Sequence, residues 1–115
     1  MSAAYESFKS HIMTLLDGVD PSDPDCEDVE VQFQMVVRER GTDVEHTVRA
    51  SIVVFSETFI FRILQTKEFY NESAEQGEYD GYNMIADIYS FPMTRIGTSD
   101  NVTMDFVRFI AAPCI

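Results

Sequence analysis

Hydrophobic residues near the start of the chain recur at the spacing of an α-helix. Residues 3–17, "AAYESFKSHIMTLLD", place several large side chains on one helical stripe. These are Tyr5, Phe8, Ile12, Leu15 and Leu16. Ser2 precedes the stripe and can cap the first turn, and Gly18 follows in a position that commonly ends a helix. The pattern predicts an amphipathic helix over residues 3–17.

From Val29 the hydrophobic period changes to two, which is typical of a β-strand with one buried face. The inward positions of this first strand are Val31, Phe33, Met35 and Val37. A turn at residues 41–43, "GTD", leads into a second alternating run. The inward positions of the second run are Val44, His46, Val48, Ala50, Ile52 and Val54. The two runs predict a long β-hairpin.

A second tight reversal is expected at Ser56 and Glu57, followed by a third strand over residues 58–65. One face of this strand carries Phe59, Phe61 and Ile63. Three consecutive antiparallel strands form a meander. Because Ile60 and Leu64 are apolar on the opposite face, the third strand is expected to be buried on both faces or to meet another element.

The patterns that follow are weaker. Residues 67–82, "KEFYNESAEQGEYDGY", are polar with two glycines, and they predict a long loop with a short helical turn at residues 68–76. Residues 82–91 fit both a helix and an alternating strand, and we favour a strand. Pro92 is expected to end either element.

The end of the chain predicts one more strand. A turn at residues 98–101, "TSDN", precedes a closing strand over residues 102–111. The helical stripe and the sheet each need an apolar surface as cover, so the helix is expected to pack across a twisted antiparallel sheet of four to five strands. The fold class is therefore α+β. With 115 residues, 45% of them hydrophobic, residues 1–115 are expected to form a single domain.

The N-terminal residues give no sign of export. The chain has no run of about 18 apolar residues, which a membrane-spanning helix requires. The opening "MSAAYESFKSHIM" lacks the basic start and the apolar centre of a signal peptide. A cytoplasmic protein without membrane association is therefore expected.

The acidic residues are concentrated in two segments. The net charge is −12, residues 17–30 hold seven acids without a base, and residues 68–80 hold five more. The rest of the chain has eight acids and eight bases. A protein adapted to high salt is expected to spread its acidic residues over the whole surface. The clustering favours a surface for a cationic partner, and the alternative is a pair of solvated loops.

The acidic stretch at residues 19–30, "VDPSDPDCEDVE", does not fit a calcium site. Counted from Asp23, the EF-hand pattern meets Asp28 at its glycine position and Gln34 at its final glutamate position. Cys26 and Cys114 lie 88 positions apart, and neither they nor the histidines have metal-ligand spacing. No metal or cofactor is expected, and whether the two cysteines form a disulfide stays open.

Catalytic signatures are absent from the sequence. It contains no nucleophile elbow, phosphate-binding loop or zinc-protease motif, and only two histidines, His11 and His46. His11 lies beside the helical stripe, and His46 is expected near the exposed tip of the hairpin. Acids on a surface loop lack the burial that raises a carboxyl pKa for acid/base work. The protein is therefore not expected to be an enzyme.

The acidic segments are the candidate partner-binding surface. In an extended segment Asp23, Asp25 and Glu27 would stand about 6.6–7 Å apart, comparable to the phosphates of a nucleic-acid strand. Aromatic side chains interleave with the second segment and could anchor a partner, although Phe69 and Tyr82 could instead pin the loop to the core. The candidate residues are Asp20, Asp23, Asp25, Glu27, Asp28, Glu68, Glu72, Glu75, Glu78 and Asp80, with Tyr70 and Tyr79 as anchors.

These features predict a small acidic inhibitor that blocks a Lys/Arg-rich, nucleic-acid-binding surface of another protein and does not itself bind nucleic acid. In size and charge placement the chain resembles nucleic-acid-mimic inhibitors, phage anti-CRISPR proteins among them, and immunity proteins that plug nuclease toxins. The main alternative is a structural or assembly subunit of a phage or secretion system. A third is an enzyme or ligand carrier with a pocket between helix and sheet. The partner and the oligomeric state stay open.

Overall fold

A computed structural model of the chain describes residues 2–65 and 75–110 and has the predicted α+β class. The two helices are α1 (Ala3–Leu15) and α2 (Met84–Tyr89). The strands are β1 (Glu30–Glu39), β2 (Glu45–Phe55), β3 (Thr58–Gln65), β4 (Glu75–Tyr79), β5 (Ser90–Thr94) and β6 (Asn101–Phe109). Short 3₁₀ turns occupy Pro24–Cys26 and Gly81–Asn83.

The sheet has six strands in the order β4-β3-β2-β1-β6-β5, and every neighbouring pair is antiparallel. It curls into a half-barrel. The meander β1-β2-β3 is present as predicted, but the prediction of four to five strands was too low. Strands β4 and β5 form the two edges of the sheet, outside β3 and β6.

Helix α1 confirms the predicted N-terminal helix and its buried stripe. The Ser2 hydroxyl accepts a hydrogen bond from the Tyr5 N–H at 3.0 Å, which caps the first turn. Phe8, Ile12 and Leu16 are buried. The helix ends at Leu15 instead of residue 17 because the last turn tightens, with the Asp17 N–H donating to the Thr14 carbonyl at 3.2 Å.

The two reversals of the meander lie where the pattern placed them. The β2–β3 turn has Ser56 at φ 53° and Glu57 at φ 66°. Two successive left-handed residues are the hallmark of a type I′ hairpin turn, whose twist matches that of the flanking strands. On the second face of β3, Ile60 is buried, as the interpretation of a strand covered on both sides requires.

The region after β3 corrects three predictions. The loop predicted over residues 67–82 contains β4, so a helical turn does not extend to residue 76, and residues 68–74 lie outside the described residues. The favoured strand over residues 82–91 is wrong, because Met84–Tyr89 is helical and only then does β5 begin.

Pro92 was expected to end an element, but it lies inside β5. An edge strand tolerates proline because the missing N–H can face away from the sheet. The closing strand, predicted over residues 102–111, is β6 and ends at Phe109. Residue 111 lies outside the described part of the chain.

The core fills the space between the helices and the concave face of the sheet. Phe8 of α1 packs against the rings of Tyr89, Phe106 and Phe109, with ring centroids 4.7–5.6 Å apart. Helix α2 adds Met84, Ile85 and Ile88 to the same core. Among the described residues, neither helix has the length and apolarity needed to cross a lipid bilayer.

Candidate protein-binding surface

The first acidic segment, residues 17–30, is fastened to the end of the sheet where β2 turns into β3. The Asp28 N–H donates to the Val54 carbonyl at 2.9 Å, and the Val54 N–H donates to the Val29 carbonyl at 2.9 Å. The Glu27 carboxylate accepts the Ser56 N–H at 2.9 Å through Oε1 and at 3.2 Å through Oε2. These backbone and side-chain hydrogen bonds hold residues 17–30, which we call the acidic loop, beside the β2–β3 turn.

The second acidic segment reaches the same place through β4. Tyr79 lies opposite Phe59 and Glu78 lies opposite Ile60, so β4 ends beside the start of β3. Just beyond β4, the Tyr82 hydroxyl donates a hydrogen bond to the Val19 carbonyl and ties the two segments together. We call residues 17–30, 56–58 and 78–83 the acidic end of the sheet.

The acidic end includes part of the predicted site. It brings together Asp20, Asp23, Asp25, Glu27, Asp28, Glu78 and Asp80. Glu75 begins β4 opposite Arg62, farther along the sheet. Glu68, Tyr70 and Glu72 lie outside the described residues.

Opposite charges are scarce at the acidic end. Its three segments hold ten Asp and Glu residues and no Lys, Arg or His. Within residues 2–65 and 75–110, no carboxylate of these segments takes part in an ion pair. Among the described residues no ion pair therefore offsets this negative charge, which solvent and salt screen.

The ion pairs lie at the other end of the sheet, which we call the paired end. Arg38 and Arg108 contact Glu45 at 2.5 and 3.7 Å, and Arg40 contacts Asp105 at 2.7 Å. The turns β1–β2 and β5–β6 meet at this end. Four of the eight Lys and Arg residues of the chain, Arg38, Arg40, Arg95 and Arg108, are ion-paired there.

Several loop carboxylates also organise the acidic loop. Asp20 accepts hydrogen bonds from the Ser22 hydroxyl at 2.7 Å and from the Ser22 N–H at 2.9 Å, and these bonds lower the pKa of Asp20. Asp23 accepts the Asp25 N–H at 2.9 Å and caps the 3₁₀ turn. Asp28 adopts a left-handed φ of 68°. These acids therefore have a local structural role beside any role in binding.

The predicted row of acids at phosphate spacing is wrong. It required residues 23–27 to be extended, but Pro24–Cys26 forms a 3₁₀ turn. Proline at the first position of the turn favours this, because its fixed φ suits a helical start and it needs no hydrogen-bond acceptor there. The acidic loop thus presents a compact cluster of charge instead of a linear row.

The aromatic residues at this end differ in accessibility. Tyr79 is half-buried against the core, and burial, followed by the negative charge of Asp87, raises its pKa. Tyr82, considered in the sequence as either an anchor or a pin, is 37% exposed and pins the acidic loop through Val19.

Phe55, at the end of β2, is 53% exposed beside the β2–β3 turn. Sequence reasoning missed Phe55, although alternation with the inward Val54 was enough to place it on the outer face.

At the paired end, sequence reasoning also missed a buried polar cluster. The Glu39 carboxylate accepts a hydrogen bond from Arg95 at 2.9 Å and lies 3.2 Å from Nε2 of His46. The His46 side chain is 10% exposed, so the prediction that fraying exposes it at the hairpin tip is wrong. This cluster joins the β1–β2 hairpin to the β5–β6 turn.

Two further observations concern metal ligands and Cys26. In the part of the chain that the structure describes, no group of three or more His, Cys, Asp or Glu side chains could hold a metal ion. Cys26 is half-buried, with its Sγ 3.8 Å from the Gly18 carbonyl oxygen. Cys114 lies outside the described residues, so its pairing with Cys26 stays untested.

Comparisons with known protein families, with curated proteins and with solved structures find no match to this chain. The candidate surface is therefore defined by its own geometry and charge. Its distinctive property is a cluster of unpaired carboxylates held in place by backbone hydrogen bonds, with exposed apolar side chains next to it.

Proposed function

We propose that the protein binds a basic surface of another protein through its acidic end and blocks that surface from nucleic acid. The observation that carries the proposal is the convergence of two acidic segments at one end of the sheet. Those segments are far apart in sequence, and the hydrogen bond from Tyr82 to Val19 joins them. The ion-paired arginines lie at the opposite end.

Such a surface attracts a cationic partner before contact is made. Electrostatic steering of this kind raises association rates by about 10- to 1,000-fold at low ionic strength. Because the acidic loop is hydrogen-bonded to the β2–β3 turn, little conformational entropy is lost when a partner docks. Pre-organisation therefore supports binding by a surface whose carboxylates form no ion pair within residues 2–65 and 75–110.

The proposal rests on the density of charge and not on imitation of phosphate spacing. A basic surface that holds a nucleic-acid backbone has Lys and Arg side chains able to neutralise many anionic groups. A compact cluster of carboxylates competes for the same side chains. In this respect the protein would act as the nucleic-acid-mimic inhibitors do, without reproducing the geometry of a strand.

The alternative, an assembly subunit that joins other chains by strand addition, has less support. Strand β5, at one edge of the sheet, is only five residues long. Pro92 lies in β5 and has no backbone N–H to donate to an added strand. Proline in an edge strand is a common protection against pairing with another chain. A short edge that contains a proline favours a surface that binds with side chains.

Two matched triple variants test the proposed function. Asp25→Asn, Glu78→Gln and Asp80→Asn together remove three exposed carboxylates from the acidic end. Glu6→Gln, Asp43→Asn and Asp100→Asn remove three exposed carboxylates elsewhere, so both variants lose the same charge from a net −12. Immobilised wild-type protein and both variants are incubated with lysate of the native host at about 0.05 M and about 0.5 M salt.

A protein retained by wild type and by the control variant, but lost with the acidic-end variant and at high salt, is the expected partner. Its DNA or RNA binding, measured by fluorescence anisotropy, should weaken when the wild-type protein is added. Retention that is equal for the two variants would overturn the proposal. So would a partner whose nucleic-acid binding is unaffected.

A further inference from the structure

A groove runs between α1 and the segment that leads into α2, next to the acidic end. It encloses a cavity of about 350 Å³ and is lined by Tyr5, Lys9 and Met13 on one side and by Tyr82, Ile85 and Ala86 on the other. A second depression, of about 410 Å³, shares Met13 and continues along α1 to Asp17. The groove therefore opens directly onto the first residue of the acidic loop.

The groove exposes large apolar side chains. Met13 is 41% and Tyr82 is 37% exposed, and the two side chains line opposite walls of the groove. Both positions are held rigidly, Met13 by α1 and Tyr82 by its hydrogen bond to the acidic loop. A pre-formed apolar groove of this kind can accept side chains of a partner without rearrangement.

Negative charge dominates the end of the groove nearest the acidic loop. Asp17 lines the second depression. The pKa of Tyr82 is raised by burial and by the negative charges of Asp20 and Asp17, so these carboxylates act on the groove wall itself. The negative charge at this end disfavours phosphate, anionic lipid and acidic peptides and favours a cationic occupant, and Lys9 lies one helical turn farther from the acidic loop than Met13.

We propose that this groove docks a segment of the basic partner protein in which apolar side chains on one helical face adjoin Lys or Arg. The apolar side chains would cover Met13 and Tyr82, and the cationic ones would face Asp17 and the acidic loop. This inference rests on the proposed function and adds the contact that provides lasting affinity, because charge alone mainly accelerates encounter. Helix-in-groove recognition has these requirements.

The test uses two synthetic helical peptides with the same Lys positions. One carries Leu along a single helical face, and the other carries Ser at those positions. Binding is followed by fluorescence anisotropy and by the methyl NMR signals of the methionines. Met13 is exposed whereas Met35, Met84, Met93 and Met104 are buried, so its methyl group reports on the groove alone.

Wild-type protein should bind the Leu/Lys peptide at least about tenfold more tightly than the Ser/Lys peptide, a difference of about 1.4 kcal/mol. The Met13 signal should shift saturably while the four buried methionines stay unchanged. Met13→Ser, or Ala86→Gln as a second variant that fills the groove, should remove the preference for Leu. Val44→Ser, which changes an exposed apolar residue of the paired end, should keep it.

The groove proposal is overturned if wild type does not prefer the Leu/Lys peptide, if Met13→Ser keeps the full preference, or if the Met13 signal does not move. Failure of the proposed function gives a different result. In that case the acidic-end triple variant binds the Ser/Lys peptide as well as wild type does.

Discussion

Single charged residues stabilise the paired end of the sheet in a way that depends on pH. Asp105 on β6 accepts hydrogen bonds from Arg40 at 2.7 and 3.1 Å and from the Ser90 hydroxyl at 2.8 Å. The hydrogen bond from Arg40 is the main cause that holds the pKa of Asp105 below its usual value. The folded protein therefore favours the ionised carboxylate more than the unfolded chain does.

Asp105→Asn should destabilise the protein at neutral pH, and this effect should shrink in acid. The contribution of Asp105 is fully present above the unfolded-state pKa of about 4 and is lost as the pH falls through the lower folded-state value. Urea unfolding of wild type and variant at pH about 7 and about 3 measures the difference in free energy. Asp43→Asn, at an exposed position of the β1–β2 turn, is the control. A difference between Asp105→Asn and wild type that stays constant with pH would contradict this account.

The buried polar cluster of Glu39, His46 and Arg95 could not be predicted from the local sequence around each residue. The alternating pattern put His46 on the inward face, and that alone was enough to expect burial. The prediction of an exposed His46 failed because it treated the tip of the hairpin as a free end. In the fold, Arg95 comes from the distant β5–β6 turn and donates a hydrogen bond to Glu39, which also contacts His46. Local sequence carries no information about that neighbour.

At the scale of elements, the β2–β3 turn adopts its shape without the residues that suit it best. Type I′ turns favour Asn-Gly, whereas Ser56 and Glu57 occupy the two left-handed positions here. A left-handed conformation is unfavourable for a residue with a side chain. The strands on either side therefore hold the turn in place, through the pairs from Phe55–Thr58 to Ala50–Ile63.

Glu57→Gly should stabilise the protein by about 0.5–1 kcal/mol, because glycine adopts the left-handed conformation without strain. The change also removes a negative charge from the acidic end. Glu57→Gln is the matched control, since it removes the charge and keeps the strain. Urea unfolding should place the glycine variant above both the glutamine variant and wild type. Equal stability of the two variants would assign the effect to charge.

Strong local patterns predicted elements well, and weak ones did not. Alternation over ten or more residues identified β1 and β2, and the cap at Ser2 identified the start of α1. Strand β4 was missed because its sequence, "EQGEY", has one large apolar residue and a glycine. Helix α2 was missed because its six residues are too few to separate the helical period from alternation.

At the scale of the whole molecule, the fold places the acidic end and the ion-paired arginines at opposite ends of the sheet. Like charges gathered at one end repel each other in the folded state more than in the extended chain. The hydrogen bonds of Asp20, Asp23 and Glu27 oppose this repulsion locally. The net result is a surface that costs some stability and is available to a cationic partner.

Salt should therefore stabilise the protein in the absence of a partner. Raising the ionic strength from about 0.05 M to about 0.5 M shortens the screening length from over 10 Å to a few Å and weakens the repulsion. The free energy of unfolding in urea should rise with salt for wild type. The rise should be smaller for Asp25→Asn, Glu78→Gln and Asp80→Asn together than for the triple control variant. Equal salt dependence of the two would show that the acidic end is not the source.

The two acidic segments were visible in the sequence, but their meeting was not. Alternation and turns specify neighbours for strands joined by a tight turn, as in β1-β2-β3, but not which strand pairs with the outer edge of β3. The convergence depends on β4 pairing with β3 and on the acidic loop bonding to the β2–β3 turn. These are contacts between residues far apart in the chain, such as Tyr82 with Val19.

The strand order also sets when the sheet can be completed during synthesis. Strand β1 lies between β2 and β6, and its second neighbour comes from residues 101–109. A ribosome adds about 5–20 residues each second, so β1 waits several seconds with one edge bare. Throughout that interval the nascent chain exposes a long, apolar strand edge of the kind that aggregates. Pairing with β6 then covers this edge of β1 between Met35 and Glu39, so that strands of other chains no longer have access to it there.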